Sequence, residues 1–338
     1  MRKEASLEQW KVLYEAATRI EGLKPWEKFW DLDLIGVRNG SEDETTFFCI
    51  HGRDGARCGI SVYEGFTGLN SFLMLALRQR LNVTTEYAMF YQRNMSCYWG
   101  MREDLTESQR KVIKDLGYKY RGKNQWLYFQ SRKPGYSAYI LDEEEALRMA
   151  NHLQDLELAL RCYEESGAEV SFEKGSMFLL TFEEDKKRWH YGEAPLPFTI
   201  YQYRNLLIQD EELMAKLEKA SNCGAVLEAD ISIPGGSVTD REYDRPMNPA
   251  LALLGDVSSE AVLKFEMLKP EDNPTVRLAE MVVEFILQNG APKEIRVSNV
   301  IIEAGLEQIC NICGIRLCRT TQLPVLEAFA QSMKRFDL

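Results

Sequence analysis

Histidine is scarce in this chain of 338 residues: there are three, His51, His152 and His190, far apart and none beside a serine or cysteine nucleophile motif. GxSxG, HExxH and a phosphate-binding glycine loop are missing, so the sequence offers no support for a hydrolase triad or a nucleotide-dependent enzyme. No apolar run approaches the roughly 20 residues that a membrane-spanning helix needs, and the opening MRKEASLEQW has no apolar signal-peptide core. These absences predict a cytoplasmic protein with no membrane partner. Neither a low-complexity linker nor an internal repeat separates the chain into obvious parts.

A surplus of cations is also lacking. The net charge of -11 disfavours a general polyanion binder and so counts against nucleic acid as a partner. The acidity is concentrated, however: residues 142 to 165 hold eight acids against Arg148 and Arg161. The eight cysteines lie scattered, which in a chain of this size predicts free thiols and no disulfide framework. With 45% hydrophobic and 28% charged residues, the composition is that of a globular protein long enough for two domains.

Helix and strand signals alternate along the first half. A capping box, Ser6 with Gln9, opens a helix carrying Trp10, Leu13, Tyr14, Ala17 and Ile20 at helical spacing. Strands are expected at DLIGV, TTFFCIHG and ARCGISVY, a helix at SFLMLALRQRL, a strand pair at EYAMFYQ and SCYWGMRE, and a helix after a second capping box at Thr106 and Gln109. The acidic segment reads as a helix with Leu147, Ala150, Leu153, Leu156 and Leu160 on its apolar side, closing a first domain at residue 166. Beyond it come short strands at GSMFLLTFEE, KRWHYG and FTIYQY and a helix in DEELMAKLEKA.

The stretches KPWEKFWDLDLIGV, FCIHGRDGARCGISVYEGFTGLNSF and RKPGYSAYILDEEEAL resemble a bacterial family of unknown function. Its members have a Trp- and Gly-marked N-terminal domain ahead of a second domain, in some cases beside a plasmid open-reading-frame-3-like domain. From residue 225 the order is VLEADISI, NPALALLGDVSSEAVLKFEML, a helix TVRLAEMVVEFILQNG, the strand EIRV, a helix IIEAGLEQICNICG, the strand IRLC and a last helix PVLEAFAQSMKRF. Three strands, then helix, strand, helix, strand, helix, resembles a degenerate integrase or transposase core of the ribonuclease-H-like fold. The expected fold class is therefore α+β in two domains, 1–166 and 167–338, the second with a mixed sheet flanked by helices and with EIRV and IRLC as parallel neighbours.

That resemblance implies carboxylates around two Mg²⁺ ions, which activate a nucleophile and stabilise a leaving oxygen. Asp230 in VLEADIS maps to the first carboxylate and Glu327 in PVLEAF to the third, but Ser298-Asn299 stands where the pattern has Asp-Asn. Asp256 matches a further acid of the pattern, or simply a turn former before Ser258 and Ser259. The expected function is a non-catalytic binding or scaffold module with an eroded site and no cofactor; the alternative is a divalent-metal-dependent nuclease or other nucleic-acid-processing protein, with Mg²⁺. Cys310, Cys313 and Cys318 lack a fourth ligand, so they read as core thiols and no metal site is expected. One basic and aromatic stretch, with Lys119, Arg121, Lys123, Trp126, Arg132 and Lys133, has the ingredients for stacking bases beside phosphates, or for an ordinary two-sided strand.

Overall fold

The Ser6–Gln9 box opens α1 (Leu7–Leu23): the Gln9 amide donates to Ser6 Oγ and the Ser6 amide to Gln9 Oε1, satisfying two donors that a helix start leaves free. In the computed structural model, which describes residues 2–199 and 206–334, the Trp10, Leu13, Tyr14, Ala17 and Ile20 stripe is buried. It packs with α6 (Glu143–Ser166) on one face of a seven-stranded sheet. The strands are β1 (Ile35–Arg38), β2 (Thr46–His51), β3 (Cys58–Glu64), β4 (Asn94–Gly100), β5 (Trp126–Arg132), β6 (Ser176–Glu183) and β7 (Arg188–Pro195), in the order β5-β4-β3-β2-β1-β6-β7. Every pair is antiparallel except β1 with β6, which is parallel. On the other face, α2 (Gly65–Ala76) lays Leu69 and Phe72 against Phe47, Tyr63 and Met177. The Thr106–Gln109 box opens α5 (Glu107–Asp115), and Gly167, at φ 60°, ends α6 in the left-handed conformation that glycine adopts without strain.

Three expectations are corrected here. The first compact unit takes in residues up to Ala76, Gln92–Lys133 and Ala138–Thr199, so the boundary expected at 166 falls inside it. Met177, Phe178 and Leu180 of β6 are buried because the strand adds to β1, an edge that the sequence left without a partner. Leu147, expected in the apolar stripe of α6, is 47% exposed; the buried set is Ala146, Met149, Ala150, Leu153, Leu156, Ala159 and Leu160. EYAMFYQ is not a strand. Thr84 accepts the Tyr87 amide and starts the helix α4 (Thr85–Phe90), a cap that outweighs the strand preference of its aromatic residues. Of FTIYQY, Phe198 and Thr199 are not in a strand and residues 200–203 lie outside the described residues.

The second unit comprises Leu77–Tyr91, Pro134–Ser137 and the described residues from 206 onward. Besides α3 (Arg78–Leu81) and α4 it contains α7 (Glu211–Glu218), β8 (Val226–Ser232), β9 (Ala250–Asp256), β10 (Ala261–Leu268), α8 (Pro274–Asn289), β11 (Glu294–Val297), α9 (Val300–Cys313), β12 (Arg316–Arg319) and α10 (Pro324–Lys334). The sheet order is β10-β9-β8-β11-β12: β8, β9 and β10 form an antiparallel meander, while β11 runs parallel to both β8 and β12. The expected parallel pairing of EIRV with IRLC is thus observed, Ile295 opposite Leu317. Close approach of α8 and α9 depends on Gly305, since a Cβ there would sit 2.2 Å from Thr275 Cγ2. Across the sheet, Leu323 and Leu326, at the start of α10, cluster with Leu251 and Leu253 of β9. Among the described residues no helix is long and apolar enough to cross a membrane.

Candidate functional site

Parallel neighbours carry their carboxyl ends side by side, and the register of β8 with β11 sets Arg296 beside Glu228. Two residues further along each strand come Ser298 and Asp230, and the Ser298 hydroxyl donates to Asp230 Oδ1 over 2.9 Å. The same oxygen accepts the Ile231 amide at 2.8 Å. Asn299 leaves the strand and caps α9, its Oδ1 accepting the amides of Ile301 (3.0 Å) and Ile302 (3.1 Å), while its Nδ2 donates to Ser298 Oγ at 3.0 Å. Asn82 Nδ2 donates to the Ser298 carbonyl at 2.5 Å, which holds the segment ahead of α4 against this strand end.

These groups border a concavity of about 490 Å³. Glu327, on the first turn of α10, lines the same concavity as Asp230, so two of the three acids drawn from the sequence converge. Glu86 of α4 adds a third carboxylate, and among the described residues no Lys, Arg or His lines the concavity. Tyr87, 3% exposed, forms part of the wall and packs on Tyr91 at a ring distance of 5.0 Å. Burial, reinforced by the charges of Glu327 and Glu228, pushes the Asp230 carboxyl up to about 7 against the pull of the Ile231 and Ser298 hydrogen bonds. Glu327 Oε1 accepts the Leu323 amide at 3.1 Å, an interaction internal to the start of its own helix.

Asp256 does not join this group. It pairs with Leu227, near the start of β8, whereas Asp230 is near the end of that strand. Its Oδ2 accepts Ser258 Oγ (2.6 Å), Ser259 N (2.9 Å) and Ser259 Oγ (2.8 Å), bonds that hold its carboxyl below the usual range. It is the turn former between β9 and β10. Among the described residues no group of three His, Cys, Asp or Glu side chains has the geometry to hold a metal ion.

The basic stretch of the first unit uses its aromatic rings internally. Tyr128 and Phe129 are buried, Tyr118 stacks on Tyr14 (5.3 Å) and on Tyr120 (5.7 Å), and Trp126 meets Tyr120 edge-on at 6.1 Å. Lys133 pairs with the buried Glu145 at 3.0 Å. Lys119, Arg121 and Lys123 are exposed on the loop before β5, and Arg132 is half-buried at the strand's end. Cys310 is buried, Cys313 and Cys318 only partly so, and the Cys313 thiol donates to the Leu217 carbonyl at 3.5 Å.

Two groupings escaped the sequence reading. Of the wall formed by Asn82, Thr84, Glu86 and Tyr87, the last two sit in the expected strand EYAMFYQ and the first two just before it; the signal that could have found it is Thr84, a helix cap. Cys49 and His51 also share a sheet face, two residues apart on β2, with Sγ 3.6 Å from His51 Nε2. Burial raises the Cys49 thiol well above its ordinary value and lowers the His51 imidazole, so the pair remains neutral and the thiol is not an activated nucleophile. His51 Nε2 lies 2.9 Å from Ser61 Oγ, itself 2.9 Å from Ser96 Oγ, a short polar chain inside the sheet layer.

Residues 10–180 match the family model of a domain of unknown function (DUF7309), and residues 213–334 match that of a second one (DUF6930). No curated protein matches the chain.

Proposed function

The chain belongs to the family of the domain of unknown function DUF7309, and we propose that its second unit is a ribonuclease-H-like module whose metal site has become a binding pocket, making the protein a non-catalytic binding or scaffold module. The strand order β10-β9-β8-β11-β12, with the first three antiparallel and the last two parallel to β8, supports that fold. One observation carries the functional reading: the hydrogen bond from Ser298 to Asp230. A shared carboxylate at position 298 would help to compensate the mutual repulsion of two divalent ions; the hydroxyl instead donates to the oxygen that a metal would occupy. Burial raises the Asp230 carboxyl to about 7, which favours its protonated form, whereas ligation requires the ionised one. Among the described residues the lining has three acids and no cation, a balance that repels a phosphodiester, whereas the hydroxyl and amide groups facing an apolar wall of Ile231, Leu253 and Leu326 suit a small polar ligand.

The rival reading, a divalent-metal-dependent nuclease using Asp230 and Glu327, draws support from the fact that both acids line one concavity. Assays on single- and double-stranded DNA and RNA with Mg²⁺ or Mn²⁺, using the wild-type chain and Asp230→Asn, separate the two. The binding-module reading expects no cleavage by either protein. Cutting by the wild type that disappears in Asp230→Asn overturns it.

A further inference from the structure

Strand β10 ends its sheet: among the described residues it is bonded to β9 on one side only. Its large apolar side chains are unusually exposed for a strand, Leu263 at 47%, Phe265 at 56% and Met267 at 54%. The register with β9 is regular from Lys264 to Leu268, with an irregularity confined to the step between Val262 and Lys264. A lone edge lysine normally discourages pairing with another chain. Here, however, the order Leu263, Lys264, Phe265, Glu266, Met267 is symmetric in chemical character about Phe265, with opposite charges in matching places.

We propose that two copies of this chain pair antiparallel through their β10 edges, with Phe265 on the two-fold axis. In that register Lys264 faces Glu266 of the partner subunit, Leu263 faces Met267 of the partner subunit, and Phe265 meets its own counterpart. Both charge pairs match by symmetry, as an interface that uses the same patch on each copy requires. Lys264 already pairs with Glu284, and Glu266 with Arg277, so the pairing extends two existing ion pairs into a row of alternating sign. The opposite edge of the sheet does not offer this. In β12, Arg316 and Arg319 occupy the two ends, so antiparallel self-pairing about the strand's centre would set arginine against arginine.

Light scattering coupled to size exclusion on the full chain tests the proposal. The wild type should have twice the 39.0 kDa chain mass at about 100 µM, a concentration that detects affinities of that order. Phe265→Lys and, independently, Met267→Lys should be monomers with unchanged circular dichroism. Lys264→Glu alone and Glu266→Lys alone each create two like-charge contacts in the dimer and should weaken it by about tenfold or more. Mixing those two variants should restore the dimer as a heterodimer, because the acids of one then face the lysines of the other. A monomeric wild type, single charge variants that dimerise as tightly as the wild type, or a mixture that fails to associate overturns the proposal.

Discussion

Ser298 and Asp230 meet at the ends of adjacent parallel strands, joined by a 2.9 Å hydrogen bond from hydroxyl to carboxylate. The bond stabilises the charged form of an acid that burial otherwise holds up to about 7. Ser298→Ala should therefore raise the Asp230 pKa further, read from the titration of its carboxyl carbon resonance. An unchanged or lower value would mean that the hydroxyl does not tune this acid.

The same acid makes stability depend on pH. Asp230 titrates at about 7 in the folded chain and near 3.9 when unfolded, so between about pH 4 and 7 the folded state binds the extra proton and stability falls as pH rises. Asp230→Asn removes that loss. It should be more stable than the wild type by about 1–3 kcal/mol at pH 8, a range reduced for partial exposure, with the two proteins converging below about pH 4. Urea unfolding across this range provides the measurement, and a pH-independent difference would count against the assignment.

Glu228 ties the last helix to the sheet. Its Oε2 accepts the amides of Val325 (3.0 Å) and Leu326 (3.2 Å) at the start of α10, and the residue is fully buried. Glu228→Ala leaves both amides without an acceptor and should cost about 2–4 kcal/mol; Glu228→Gln keeps an acceptor and should cost less than about 1.5 kcal/mol. Amide exchange in α10 should accelerate in the alanine variant and much less in the glutamine variant.

Gly305 gives α9 its clearance from Thr275. Gly305→Ala gains about 1 kcal/mol of helix propensity but forces a clash worth about 1–3 kcal/mol, so the melting temperature should fall. Adding Thr275→Ser removes the offending methyl and should recover most of the loss.

Thiol reactivity should follow burial. Cys223 is exposed and should alkylate first at pH 8, whereas Cys49, Cys97 and Cys310 should stay silent until the chain unfolds. Burial lifts the Cys310 thiol to about 12 and the other two well above their ordinary values. Mass spectrometry of the labelled protein distinguishes the sites.

Local signals carried the sequence reading far. The capping boxes at Ser6 and Thr106, the glycine after α6 and the strand-helix alternation from residue 225 each act through neighbours a few residues apart, so they are legible without a partner. The parallel pairing of β11 with β12 was legible for the same reason, because a helix joins them. Asp230 and Glu327 could be named from motif position, and Asp256 could be suspected as a turn former from the two serines that follow it.

The chain's own residues thus determine most of its element types, its free thiols and the placing of Ser298 just after the β11 strand. Only the tertiary structure decides that β6 and β7 join the first sheet, that Glu86 and Tyr87 share a concavity with Asp230, and that Cys49 faces His51 under too much cover to ionise. The reason is physical: sheet pairing, burial and the electrostatic environment of a carboxyl depend on groups brought together from distant parts of the chain, and no local spacing records which groups those will be.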